Sequence, residues 1–295
     1  MTQYSIWVLE YAYVKKFHRS GVLYGAHNQG YLKLPYCYTV IKGNGRVAMV
    51  DVGYNDKEHG KAIADGLGVE NWHSPRTVLA EIGLRPEDVD TVFISHAHFD
   101  HFGNVEDFPR AAFYIQEREI AKWVWAMSLP ERMRWVLTGI DPGDILRGVE
   151  LARNQRLVCV DGDREDVLPG IDLHAAHDTH TWGSMWVAVR NDGRRESQDV
   201  WVLAGDLAYQ FENLGDSGAG GAPDAMFIPV GLAVGSQMNL IATTEQMVQR
   251  VGNETRRVIP IHEERLRGRF PSRITDNGLR ITEICLADGV RSMVA

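Results

Sequence analysis

Apolar positions in this chain fall into short strand-like runs, and several of those runs end where residues capable of chemistry begin. Tyr36-Cys37-Tyr38-Thr39-Val40-Ile41 and Arg46-Val47-Ala48-Met49-Val50-Asp51-Val52 flank Gly43-Asn44-Gly45. That pattern predicts a β-hairpin, because Asn-Gly supplies the positive φ that tight hairpin turns demand. Ser74-Pro75 reads as the N-cap and first position of a helix that Gly83 ends. Thr91-Val92-Phe93-Ile94-Ser95, mostly β-branched and aromatic, predicts a buried strand. Met185 to Arg190, a turn around Asp192-Gly193 and a run extending to Ala204 predict a second hairpin. A helix is expected over Thr244 to Val251, closed by Gly252. An α/β architecture of two sheets with helices on their outer faces satisfies this order.

Three segments fall outside that frame. Gly215 to Pro223 is a flexible loop by composition. Glu117 to Leu151 is helical in character and carries Trp123, Trp125, Met127, Met133 and Trp135. It is either a core-packing helical pair or a helical cap that supplies apolar wall to a pocket. Tyr11 to Tyr36 is rich in aromatics, glycine and histidine, and suits a second pocket wall or a dimer contact.

Candidate chemistry is concentrated directly after the Thr91–Ser95 strand. His96, His98, Asp100 and His101 place four possible metal ligands in six positions. Imidazole and carboxylate suit zinc and, less exclusively, iron or manganese. Three further ligand types stand downstream. His180 lies in Asp178-Thr179-His180-Thr181-Trp182-Gly183-Ser184. Asp206 ends the apolar run Val202-Leu203-Ala204-Gly205-Asp206, and His262 ends Val258-Ile259-Pro260-Ile261-His262. His177 competes with His180 for the same role, whereas His18, His27, His59 and His73 have no partner at ligand spacing.

The order, separation and strand-end placement of these residues resemble the metallo-β-lactamase superfamily. The resemblance spans most of the chain and implies a four-layer αβ/βα sandwich over residues 1–295 as one domain, with a helical cap about 117–151. It favours His180 over His177, because Thr181 and Gly183 follow His180 as in the family's His-Thr-Pro-Gly segment, with Trp182 where proline is usual. It implies two divalent ions, zinc foremost: His96, His98 and His180 on one, Asp100, His101 and His262 on the other, and Asp206 bridging. Tyr209, three residues after Asp206, is similar to a tyrosine of the N-acyl homoserine lactonase branch that lies beside the metals and contacts the substrate carbonyl. Ser184 departs from that branch, where many members carry a second histidine. The implied activity is the opening of a lactone or related cyclic ester by a metal-bridging hydroxide. Asp100 would deliver a proton to the leaving oxygen and Tyr209 would support the carbonyl oxygen. The alternatives are a metal hydrolase of another electrophile (cyclic amide, thioester, phosphoester or activated aryl carbon) and a non-catalytic metal-binding protein.

Composition narrows the partners. With 295 residues, 44% of them hydrophobic, the chain can bury a large core. A net charge of −8 and a pI near 5.8 argue against nucleic acid and anionic membrane surfaces; a small molecule, apolar and cyclic, is the partner that the resemblance and the tryptophan-rich 117–151 segment imply. No basic, apolar leader precedes Trp7, and no run approaches the ~20 apolar residues of a membrane span. Cys37, Cys159 and Cys285 are scattered and odd in number, so a reducing cytoplasm is the expected setting. A homodimer is implied only by the resemblance.

Overall fold

The computed structural model describes residues 2–216 and 225–294. Its strands are β1 (Tyr4–His18), β2 (Tyr31–Gly43), β3 (Arg46–Val50), β4 (Val69–Glu70), β5 (Thr91–Phe93), β6 (Ala112–Gln116) and β7 (Leu157–Val160), followed by β8 (Arg164–Leu168), β9 (Ile171–His177), β10 (Gly183–Arg190), β11 (Val200–Leu203), β12 (Val258–Ile259), β13 (Ser272–Ile274) and β14 (Arg280–Cys285). The α-helices are α1 (Arg19–Val22), α2 (Glu58–Leu67), α3 (Pro75–Ala80), α4 (Phe99–Phe102), α5 (Glu117–Met127), α6 (Pro142–Arg153) and α7 (Gln237–Arg250). One sheet runs β13-β14-β1-β2-β3-β5-β6-β7, with β4 paired to β1; the other runs β12-β11-β10-β9-β8. β3, β5, β6 and β7 are parallel to one another, as are β11 and β12.

Alternation along the strands builds the layers, because successive side chains point to opposite faces. In β1, Tyr4, Ile6 and Val8 join the core between the sheets with Met185, Val187 and Val189 of β10. Trp7, Leu9 and Tyr11 join the core under the outer elements. Helices α3 and α6 contact the larger sheet, α7 contacts the smaller, and α5 touches both β6 and β10. This is the sandwich expected from the order of elements. No described helix is long and apolar enough to cross a membrane.

The first hairpin forms with Asn44 and Gly45 at φ 50° and 72°, and Gly43 pairs with Arg46. Its strands differ from the expected limits: β2 begins five residues earlier, at Tyr31, held along its length by β1. Ser74 caps α3 by accepting from Thr77 N, with Pro75 next. In the second hairpin the strands stop at Arg190 and resume at Val200, so the connection is longer than a turn at Asp192-Gly193. Helix α7 starts seven residues before the expected Thr244, because the Ser236 side chain accepts from Met238 N and Asn239 N. The segment 117–151 resolves into α5, a 3-10 stretch Glu131–Leu137 with no buried residue, and most of α6. The loop expected at 215–223 lies, beyond its first two residues, outside the described residues.

Candidate metal centre

Strand ends deliver every residue of the site. β5 ends at Phe93 and the chain turns through Ser95 into His96 and His98; His98 is the N-cap residue of α4, which carries Asp100 and His101. His180 follows β9, Asp206 sits in a 3-10 turn after β11, and His262 follows β12. Met185 N of β10 donates to Ser95 O at 2.8 Å, which pins the two sheets together at this edge.

The seven side chains form two groups whose potential ligand atoms lie within 4.8 Å of one another: His96, His98, His180 and Asp206; and Asp100, His101 and His262. In the first, His98 Nδ1 is 3.0 Å from both His96 Nε2 and His180 Nε2. Asp206 presents one oxygen to each group. Its Oδ2 lies 3.3 Å from His180 Nε2 and 3.6 Å from His96 Nε2, and its Oδ1 lies 3.0 Å from His262 Nε2 and 3.1 Å from His101 Nε2. Asp100 Oδ2 is 3.5 Å from His101 Nε2 and 3.9 Å from His262 Nε2.

Hydrogen bonds on the far side of each ring decide what the near side offers. His180 Nδ1 donates to Leu232 O and His262 Nδ1 to Pro35 O, each at 2.7 Å. His101 Nδ1 donates to Asp51 Oδ2 at 2.8 Å. The Ser95 hydroxyl donates to Asp51 at 2.8 Å, so at 3.0 Å it accepts from His96 Nδ1. Four Nε2 atoms therefore turn lone pairs inward, toward two carboxylates and one another, and His101 Nε2 is buried without a hydrogen-bond partner. A buried acceptor left unpaired costs ~1–3 kcal/mol, and here His101 Nε2 has that position among imidazoles and carboxylates 3.0–3.6 Å apart. Cations resolve the conflict, and carboxylate–histidine pairs of the Asp51–His101 kind are the usual way a metal-binding ring is oriented. The donor set thus fits divalent metal.

Electrostatics point the same way. Burial and the neighbouring His101 hold His96 well below the ordinary histidine range; burial and His180 do so for His98. Burial alone would also lower His101 and His262, but Asp206 and Asp100 raise both, His101 strongly. Burial would raise Asp206, yet His101, His262 and His96 hold it well below the carboxylate range. Burial raises Asp100, with Asp206 adding to it and His101 opposing. The site seeks positive charge beside its two carboxylates.

Tyr209 stacks on His262 with ring centroids 4.8 Å apart and an interplanar angle of 20°, and meets His180 edge-on at 5.8 Å. Burial, then Asp206 and Asp100, push its phenol well above the usual range, so it stays a donor. A cavity of about 190 Å³ opens beside it, bounded by His98, Asp100 and His180 and walled by Phe17, Leu34, Tyr36, Phe99, Trp135 and Val136 among others. Both the N-terminal aromatic run and the 3-10 part of the 117–151 segment thus line the pocket. Trp123 and Trp125 pack instead against Trp182.

His177 is turned elsewhere: its Nε2 is 3.1 Å from Gln116 Oε1. His174 stacks on Trp186 at 4.0 Å. Ser184, where many lactonases carry a histidine, donates to Thr181 Oγ1 at 2.7 Å and accepts from Thr181 N, so it braces the loop after His180. Asp51 was not anticipated. Its signal was present, an apolar run ending in an acid as at Asp206, and its φ of 65° marks a backbone held for a purpose.

With this geometry in hand, comparison with known proteins identifies the class. Residues 34–228 match the family model described as Metallo-beta-lactamase superfamily, and the chain belongs to that superfamily. Its members bind divalent metals, and the His and Asp cluster is the corresponding feature here. The N-acyl homoserine lactonase AiiB of Agrobacterium fabrum is 32% identical over 154 residues, 50% of this chain and 51% of that protein. The chain therefore spans about half the length of that relative. Among solved structures, a quorum-quenching N-acyl homoserine lactone lactonase superposes with a TM-score of 0.61 at 17% identity, covering 90% of this chain and 94% of the other. AidC, a dizinc quorum-quenching lactonase in complex with a product, gives 0.62 at 16% identity, covering 95% and 94%. At such identities the structures establish the fold.

Proposed function

We propose that this protein is a dinuclear metal-dependent hydrolase that opens a lactone or a related cyclic ester. One observation carries the reading: Asp206 faces four histidines, two with each oxygen, so two cation positions share a single carboxylate beside an apolar cavity. His96, His98 and His180 would hold one ion and Asp100, His101 and His262 the other. Held there, two divalent ions would supply Lewis acidity and lower the pKa of a bound water toward neutrality. The similarity to AiiB and AidC supports lactones as the first substrates to try.

The chain's own groups account for the remaining work. Phe17, Leu34, Tyr36 and Trp135 exclude water and bind an apolar ring substituent. The Tyr209 phenol, clamped flat on His262, donates to the carbonyl oxygen as negative charge builds there. Water adds to the acyl carbon as one of its protons passes to Asp100, whose carboxyl borders the cavity; the ring C–O bond then breaks and Asp100 returns that proton to the departing alkoxide. The product is the open hydroxy acid.

The test is a hydrolysis screen of zinc-, iron- and manganese-loaded protein across lactones, cyclic amides, thioesters and phosphoesters. Lactone turnover well above the others is the expected result. Efficient thioester or phosphoester hydrolysis with no lactone turned over would replace the substrate class, while leaving the metal centre in place.

A further inference from the structure

We infer that Glu119 is a positioning residue for one of the two metal positions, setting the separation of the two loops that carry His96, His98 and His180. The inference rests on the reading of those histidines as ligands.

Glu119 stands in the first turn of α5 and is fully buried. Its two oxygens are divided between the loops. Oε1 accepts from Ala97 N at 2.9 Å, and Ala97 is the residue between His96 and His98. Oε2 accepts from the Thr181 hydroxyl at 2.8 Å and from Gly183 N at 2.7 Å, in the loop directly after His180. Trp123 Nε1, one turn along α5, donates to Oε1 at 2.7 Å. Four donors, and no cation among the described residues, surround this carboxylate. Charge-assisted bonds of this kind are short and directional, so they fix geometry as well as contribute energy.

Packing around the carboxylate leaves the loops little freedom. A Cβ added to Gly183 would stand 2.4 Å from Glu119 N and 2.7 Å from its Cα, so only glycine lets this loop reach the helix backbone. The Trp123 indole lies 5.9 Å from the His98 ring and 4.6 Å from Trp182, carrying the same contact to the histidines. His96, His98 and His180, whose near nitrogens lie 3.0 Å apart in two pairs, are thus the set that Glu119 holds. The other set has separate supports, Asp51 behind His101 and Pro35 O behind His262. A residue that merely stabilised the fold would affect both sets alike. Glu119 should affect one.

The experiment is a cobalt(II) titration of metal-free wild type, Glu119→Gln and Glu119→Asp, followed by visible absorption, with elemental analysis of metal retained after gel filtration. In Glu119→Gln the new amide NH₂ faces two donors, so half of the clamp is broken while shape is kept. Wild type should take up two equivalents. Glu119→Gln should take up one with unchanged affinity and the other ~10–100-fold more weakly, the range for partners that orient ligands. Thermal unfolding of the metal-free proteins checks that the variants fold. If Glu119→Gln does not, Thr181→Val removes a single donor and should weaken the same equivalent by a smaller factor, with Thr181→Ser restoring it. Folded variants that bind both equivalents as wild type does, or lose both in parallel, would overturn the proposal. Wild type that binds no cobalt overturns the ligand reading itself, and that outcome needs no variant to be recognised.

Discussion

Asp51 accepts from His101 Nδ1 at 2.8 Å with the same oxygen that takes the Ser95 hydroxyl, so one buried carboxylate fixes the tautomer of His101 directly and of His96 through Ser95. Asp51→Asn keeps the shape but offers an NH₂ where acceptors are needed. Metal retained after dialysis against a weak chelator should fall by ~10–100-fold in affinity. Retention equal to wild type would remove Asp51 from the metal centre.

Asp206 presents separate oxygens to the two groups, so Asp206→Ala should lower metal content below the two equivalents expected of wild type, as measured by elemental analysis. Removing metal should also cost stability. At a free metal concentration 100-fold above Kd, each bound ion contributes ~2.7 kcal/mol, which for a chain of 295 residues corresponds to a fall in Tm of roughly 4 °C per ion on chelation. A chelated protein that melts at the same temperature would contradict both statements.

His180 and His177 separate cleanly. His180→Ala should lose metal and activity together, whereas His177→Ala, which gives up its contact with Gln116, should keep most of both. A larger metal deficit in His177→Ala would show that the loop after β9 was misread.

Tyr209→Phe should retain both ions and the wild-type Tm, yet lose kcat/KM on a lactone by roughly tenfold or more, the scale of one lost oxyanion donor. An aryl phosphoester, whose charge rests on the metals, should be affected less. Unchanged lactone kinetics would make Tyr209 a packing residue.

A pH dependence arises away from the metals. Burial, together with Asp141, pushes the Asp144 carboxyl up to about 8, against the pull of Arg147 2.9 Å away. The folded chain then keeps a proton that the unfolded chain releases near its ordinary value of 3.8. Stability from this group is complete below that pH and is lost as pH rises through about 8. Urea unfolding at pH 5 and pH 9 should show a larger loss for wild type than for Asp144→Asn. Parallel curves would mean that Arg147 keeps the carboxylate charged throughout.

Much of the site's address was legible because sheet proteins place chemistry at strand ends, and apolar runs ending in His or Asp announce themselves at His96, Asp206 and His262. Helix α3 was legible for a local reason, a serine cap followed by proline. The start of α7 was not, since Gln237-Met238-Asn239 buries nothing and the buried face begins only at Leu240. Glu119 was the least legible residue of all. Nothing in Gln116-Glu117-Arg118-Glu119 tells which acid is buried, because beyond Trp123, one turn along the helix, its partners Ala97, Thr181 and Gly183 are brought to it only by tertiary contact.

The cavity wall meets the histidines in an unusual currency at two points. Pro35, between the wall residues Leu34 and Tyr36, and the wall residue Leu232 orient His262 and His180 with main-chain carbonyls alone. Side chains at Leu34 and Leu232 can therefore be exchanged while the oxygens that aim the imidazoles stay in place, whereas the Tyr36 ring itself meets His262 edge-on at 5.6 Å. On the proposed reading, substrate fit and the aim of the imidazoles are written on the same short segments in two separable alphabets, so libraries restricted to Leu34 and Leu232 should alter which ring fits while metal content is kept.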